Sequence, residues 1–347
     1  MRNLHLSGRS LDTPAEVVRS LTCIQSQDFG PAKWSIGQRC RGLDDGDLDR
    51  AFARGKFLRT HILRPTWHFV LPEDIAWILQ LTSPRVHAVS ASRHRELGLD
   101  GPTVRKSQKL LKRELEGGNH LTRAAVKGMF TKARIADDGS RVGHLMMIAE
   151  LDGVVCSGPL DGRQHTYALL EERAPKPRAL GYEEALAELA LRYFTSHGPA
   201  TANDFKWWSS LKITQVREGL EAAGEGLTSE TIDGRTFWFA PGRQPERRKS
   251  PIVRLLQAFD EYTVAYSDTK EVFDTTGLAR IVGRPVFPGT IVVDGSVAGR
   301  WKRTLKKDAV VVETELPRGF GQTERRALQA EVRKLGSFLG LRTELVA

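Results

Sequence analysis

Lys56-Phe57-Leu58-Arg59-Thr60-His61-Ile62-Leu63-Arg64-Pro65-Thr66-Trp67-His68-Phe69-Val70-Leu71 is the stretch on which the fold turns. It reads as two strands, Lys56 to Arg64 and Thr66 to Leu71, joined at Arg64-Pro65. Upstream, Asp12-Thr13-Pro14 supplies a helix cap and a first-turn proline before Ala15 to Thr22, apolar at Val17, Val18 and Leu21. That helix runs into Ile24-Gln25-Ser26-Gln27-Asp28, so the two glutamines are expected where it ends. Phe29-Gly30-Pro31 makes a break, and Ala32 to Cys40 and Asp45 to Ala53 follow as second and third helices. Three short helices followed by a β-pair is the winged-helix order, a relative of the helix-turn-helix.

The same order returns downstream. Glu73 to Leu81 and Pro84 to Leu97 extend the helical region, and Thr103 to Glu116 is a basic helix bounded by Gly101-Pro102 and Gly117-Gly118. Helices over Leu121 to Arg134 and Ser140 to Leu151 lead to a hairpin of Val154-Val155-Cys156 with His165 to Leu169. Past the proline-containing stretch Arg173 to Arg178, helices over Tyr182 to Ser196, around Trp207-Trp208 and over Ile213 to Ala223 precede strands Leu227 to Ile232 and Thr236 to Ala240. Asp233-Gly234 turns that last hairpin, and the earlier Asp161-Gly162-Arg163 echoes Asp233-Gly234-Arg235. From Ile252 the pattern becomes β-rich: Val253 to Tyr266, Gly289 to Val293, Ser296 to Leu305 and Ala309 to Leu316, then a helix over Thr323 to Leu339 and a last strand. The expected architecture is α+β: winged-helix units at 1–71, 72–175 and 176–250, and a barrel-like β-rich element at 251–347.

The 347 residues are 40% hydrophobic and 27% charged, enough for several cores. No apolar run approaches the roughly 20 residues that span a bilayer. The N-terminal Met1 to Arg9 is basic without the apolar core of a secretory signal, so a cytoplasmic protein is expected, associated with the nucleoid when bound to DNA. Cys23, Cys40 and Cys156 form no CxxC pair, which points to buried reduced thiols; neither metal nor organic cofactor is expected. The absence of a heptad seam favours a monomer.

A net charge of +10 favours a polyanionic partner. Between Gly101 and Arg134, nine basic residues, among them Arg105, Lys109, Lys112, Arg123 and Lys127, face only Glu114 and Glu116. Arg105, Lys109 and Lys112 share one helix face, either against phosphates or simply solvated. A second block, Arg300, Lys302, Arg303, Lys306 and Lys307, holds no acid.

Two glutamines two apart are, as spacing, ordinary surface amides. Arg64-Pro65-Thr66-Trp67-His68 and Ala258-Phe259-Asp260-Glu261-Tyr262 are more telling, because they set polar groups within apolar segments, which costs stability unless partners wait in a pocket. With Ile24-Gln25-Ser26-Gln27 and Ile291 to Trp301, these segments resemble the AlkZ/YcaQ superfamily of winged-helix DNA glycosylases, which unhook interstrand crosslinks. The resemblance runs in order along nearly the whole chain. It implies three tandem winged helices in a C-shape, a β-rich C-terminal element, and excision of N7-alkylguanines from duplex DNA. It also implies that Gln25 and Gln27 are the catalytic pair, of the double-glutamine branch associated with bulky adducts and self-resistance to DNA-alkylating natural products. Ser26 departs from the usually hydrophobic middle position.

A glutamine amide orients water but takes no proton, so such a pair suffices only for a leaving group that is already activated, as a cationic N7-alkylguanine is. Arg64, Thr66, His68, Asp260, Glu261 and Tyr262 are the further pocket candidates. Asp260 or Glu261 supplies a negative field if either lines the pocket; otherwise they cap or pair within the β region. His68 is either a pocket group or a wall residue, and Trp207-Trp208 either stack on a base or belong to a core. The competing function is a winged-helix transcription regulator reading an operator, which would carry one module per subunit and dimerise.

Overall fold

In the computed structural model, which describes residues 1–136, 139–242, 250–278 and 286–346, one chain order occurs three times. It comprises helix, short strand, two helices and two strands. The first run is α1 (Pro14–Leu21), β1 (Cys23–Gln25), α2 (Phe29–Gly37), α3 (Asp45–Ala53), β2 (Leu58–His61) and β3 (Trp67–Val70). After the long α4 (Ile75–Glu96) comes the second: α5 (Gly101–Leu115), β4 (Leu121–Thr122), α6 (Arg123–Lys132), α7 (Arg141–Leu151), β5 (Val155–Ser157) and β6 (Thr166–Leu169). A short α8 (Leu170–Arg173) leads to the third: α9 (Tyr182–His197), β7 (Ala200–Thr201), α10 (Ala202–Ser209), α11 (Ile213–Ala223), β8 (Thr228–Ile232) and β9 (Arg235–Phe239). Each sheet is antiparallel, with its last strand in the centre: β1-β3-β2, β4-β6-β5 and β7-β9-β8.

Local chemistry accounts for the boundaries. Thr13, Asp44, Asp100, Thr122 and Thr201 cap α1, α3, α5, α6 and α10 through side-chain oxygens that accept backbone N–H bonds. The β8–β9 hairpin turns on Asp233 and Gly234, both at positive φ (48° and 74°), the conformation a tight two-residue turn demands.

The C-terminal element is an open half-barrel sheet in the order β10 (Val253–Leu256), β11 (Gly289–Val293), β12 (Ser296–Leu305), β13 (Ala309–Glu315) and β14 (Arg342–Val346). Two short helices, α12 (Glu261–Val264) and α13 (Lys270–Phe273), follow β10. The helix α14 (Gln322–Leu339) crosses over to bring β14 parallel to β13. At Gly37 a side chain would collide with the Phe338 ring, so the bare backbone there lets α2 lie against α14.

Three expectations are corrected. Gln25 ends strand β1, paired with His68, instead of ending a helix: α1 stops at Leu21, and Thr22 at φ 67° turns the chain into the sheet. Pro84 does not divide the helical region; it sits exposed inside α4, where losing one backbone hydrogen bond is offset by the buried residues on either side. Val253 to Tyr266 is not one strand, because Asp260 accepts from the Tyr262 N–H and starts α12.

One contiguous apolar core runs through the first run, the third run and the C-terminal sheet, from Leu4 to Phe338. The second run has a core of its own around Leu111, Phe130, Leu145 and Met146.

Candidate active site

Gln25 is held from two directions. As the last residue of β1 it donates its backbone N–H to Glu261 Oε1 (2.8 Å), and its side-chain Oε1 accepts from Arg64 Nη2 (2.7 Å). The Arg64 guanidinium is fixed in turn by donating from Nη1 to the Val264 carbonyl (3.3 Å). Burial, partly offset by the charge of Glu261, keeps the Arg64 pKa below its ordinary value. Glu261 is fully buried, and its Oε2 accepts from Trp208 Nε1 (2.9 Å) with His197 Nε2 at 3.6 Å. Glu261 thus joins the end of β1 to α10 through one side chain.

Gln27 lies just beyond the strand, half-buried, and its Oε1 accepts weakly from the Trp67 N–H (3.4 Å). Ser26 N–H donates to the Trp67 carbonyl (2.7 Å), which extends the β1–β3 ladder. The Ser26 side chain is wholly buried. Its hydroxyl has no hydrogen-bond partner there.

The sheet carries a second set of partners. Arg59 Nε donates to the Ser26 carbonyl (3.1 Å), its Nη2 donates to the Gln27 carbonyl (3.3 Å), and its guanidinium lies 4.4 Å from the Trp67 ring centre. Burial lowers its pKa to about 10. Glu150, on α7 of the second run, accepts from Trp67 Nε1 (3.3 Å) and contacts His61 Nδ1. Arg59, His61 and Glu150 escaped the sequence reading. Every residue of β2 is buried, so no alternation exposes Arg59 or His61. For Glu150 a signal existed: one acid in the apolar run Leu145-Met146-Met147-Ile148-Ala149-Glu150-Leu151.

The remaining candidates divide. Thr66 lies at the site; its N–H donates to the Arg64 carbonyl (2.7 Å) and its hydroxyl is buried without a partner. Asp260, proposed as a pocket group, is completely buried and takes two bonds of 2.8 Å from Arg39, with Ser35 adding another. Burial alone would raise its pKa, but the Arg39 charge and these bonds hold it below the ordinary value. His68 is likewise closed in, with Nδ1 against the Thr66 carbonyl (2.9 Å), and burial pushes its pKa well down. Both are wall residues. Tyr262 donates to the Gly295 carbonyl and borders a separate cavity of about 650 Å³ under the β8–β9 hairpin.

Arg105, Lys109 and Lys112 stand exposed along α5, opposite the buried Ser107, Leu111 and Leu115, and Arg123 and Lys127 are exposed on α6. The β12 residues differ. Arg300 donates to the Leu278 carbonyl, Lys302 pairs with Glu313 (3.0 Å), and Arg303 is half-buried. Lys302 and Arg303 instead border a slot of about 80 Å³ with Asp28, Pro31, Trp34 and Trp301; Asp28 is the residue that follows Gln27 in the chain. Among the described residues no group of three or more His, Cys, Asp or Glu side chains is placed to hold a metal ion, and no helix is long and apolar enough to cross a membrane. Cys23, Cys40 and Cys156 are buried and unpaired.

A family model described as DNA glycosylase AlkZ-like matches residues 18–338, from α1 to the end of α14. The chain belongs to the AlkZ-like DNA glycosylase family. It is 26% identical over 353 aligned positions to an interstrand DNA cross-link repair glycosylase of Streptomyces sahachiroi, an alignment that takes in 95% of this chain and 91% of that one. It is also similar in structure to the S. sahachiroi DNA glycosylase AlkZ, with a TM-score of 0.81, 22% identity, and coverage of 100% of this chain and 97% of the other. The second likeness speaks for the fold. The AlkZ-like match takes in β1, β3 and α12, the three elements that hold Gln25.

Proposed function

We propose that this AlkZ-like protein is a monofunctional glycosylase that hydrolyses the N-glycosidic bond of N7-alkylguanines in duplex DNA, as bulky monoadducts or interstrand crosslinks. The three repeated runs are tandem winged helices, at 1–71, 72–175 and 176–250, arranged as a C around the duplex and completed by the β-rich element at 251–347. Gln25 and Gln27 position the water.

The observation that carries this reading is the two-sided fixing of Gln25, by Arg64 at the side chain and by Glu261 at the backbone. An amide oxygen has two lone pairs, and Arg64 uses one. The other, with the amide N–H pair, orients a water without reorganisation during the reaction. The water oxygen bonds to the sugar C1′, the bond from C1′ to guanine N9 breaks, and its electron pair neutralises the cationic base. The surplus proton passes to solvent. No general acid is needed, because the departing base is already positive, and buried Glu261 opposes the positive charge that builds on the sugar.

The relative named as a cross-link repair glycosylase favours this reading over an operator-binding regulator. The test is base release from duplexes that differ only in one lesion. The expected result is release of 7-methylguanine and of larger N7 adducts, with uracil and 8-oxoguanine untouched between pH 6 and 8. Rapid uracil release, or no release of any N7-alkylguanine, overturns the proposal.

A further inference from the structure

Trp207 and Trp208 are neighbours on α10 with opposite fates. Successive helical residues point about 100° apart, so one can enter the core while the next leaves it. Trp208 is fully buried and bonded to Glu261. Trp207 is 52% exposed, the one exposed tryptophan among the described residues. Leaving half of so large an apolar ring in water forfeits burial that a core position would give, and such rings concentrate where a partner will cover them.

The ring is held in place. Trp207 Nε1 donates to the Val264 carbonyl (3.0 Å), the same oxygen that accepts from Arg64 Nη1. The Arg64 guanidinium lies 5.9 Å from the ring centre, and its Nη2 holds Gln25 Oε1. One guanidinium therefore separates the exposed indole from the catalytic amide. Lys206, next along α10, is exposed as well, which sets the ring in a surface suited to a polyanion. A fixed, half-exposed indole among cations beside a site for duplex DNA matches the way proteins stack on nucleobases, by a π-face flanked by phosphate contacts.

We propose that Trp207 is a stacking platform for a nucleobase at the lesion, so that it positions damaged DNA against Gln25 and discriminates a disrupted base stack from an intact one. This rests on the glycosylase reading above. In an undamaged duplex the base faces are covered by their neighbours, and Trp207 has little to bind. Where the stack is opened, by a bulky adduct or by loss of the base, a face becomes available.

The experiment compares wild type, Trp207→Ala and Trp207→Phe in binding to two duplexes of one sequence, one intact and one with a stable tetrahydrofuran abasic site. Trp207→Ala is expected to weaken binding to the abasic duplex by roughly 5- to 100-fold, the range stacking supplies. Intact-duplex affinity and the salt dependence of both should change by less than about twofold, since no charge is removed. Trp207→Phe keeps a ring and loses the bond to Val264, so it should recover most of the loss. Tryptophan emission of the wild type should be quenched on the abasic duplex, with that component absent in Trp207→Phe. Equal losses on both duplexes, no loss, or a Phe variant as defective as Ala would overturn the proposal. None of these readouts requires excision, so absence of base release would count against the glycosylase reading and leave this one decided by its own data.

Discussion

At the scale of single residues, the candidate site sets the amides of Gln25 and Gln27 among buried ionisable side chains. Replacing Gln25 or Gln27 by Ala should lower single-turnover excision by about 10²- to 10⁴-fold, the worth of a positioned proton-handling group, while DNA affinity stays within a few fold. Rapid-quench kinetics with excess enzyme would measure both, and a wild-type rate in either variant would remove that glutamine from the mechanism. His68 contributes differently, through pH. Burial holds its folded pKa well below 6.5, so the unfolded chain binds a proton that the folded chain refuses. Its stabilising contribution is whole above the unfolded pKa and is lost as pH falls from about 6.5 towards the depressed value, with a slope of up to about 1.4 kcal/mol per pH unit. Urea unfolding of the wild type between pH 5 and 7 should therefore be steeper in pH than that of His68→Leu; parallel curves would show that His68 titrates freely in the fold. Gln25 and Gln27 were singled out in the sequence by motif resemblance, but Arg39 was not. The bond it makes to Asp260 spans 221 residues of chain, and nothing local distinguishes Arg39 from a solvated arginine. Asp260 was left open between a pocket group and a capping or paired residue for the same reason, since a partner so far away in sequence leaves no periodic trace; it both caps α12 and pairs with Arg39.

Elements were more readable than contacts. Asp45 to Ala53 and Ile213 to Ala223 coincide with α3 and α11, because amphipathic spacing and caps are local properties. The misreadings fall where tertiary packing overrides local preference. Buried turns of α4 carry it across Pro84, and a buried aspartate starts α12 inside an apolar segment that reads as strand. The helix α5 offers a test of its own. Its apolar side is buried, leaving Arg105, Lys109 and Lys112 exposed together. If that side meets phosphates, replacing all three by Ala should reduce the slope of log K against log salt by about 2.7, at roughly 0.9 per contact. A fluorescence-anisotropy titration between 50 and 200 mM salt reads that difference, and an unchanged slope would mean that the helix is merely solvated. The β12 block makes a weaker candidate, since Lys302 is paired with Glu313 and Arg300 is held by Leu278.

At the scale of the molecule, three sheets of one strand order and a C-terminal sheet place Gln25 at the end of β1, between the first run and α12, and in the proposed reading the winged helices hold the duplex from outside without swallowing the base. Excision should accordingly depend more on the charge of the lesion than on its size. N7 substituents of increasing bulk should be removed at rates within about tenfold of one another, and a steep decline with size in a single-turnover series would indicate a base drawn into a tight cavity. The division of the apolar interior has a further consequence. The first and third runs share their core with the C-terminal sheet, whereas α5 to α7 pack largely among themselves and reach the site through Glu150. Cooperative units of a protein tend to follow such boundaries. Amide protons of α5 and α6 should exchange with deuterium through a partial opening of lower free energy than those of α9 and β11, which should exchange only with global unfolding. Because Glu150 holds the Trp67 indole, each such opening would also release the bracing behind Gln27, and so the fraction of molecules competent at any instant would be set by the stability of a segment that carries neither glutamine.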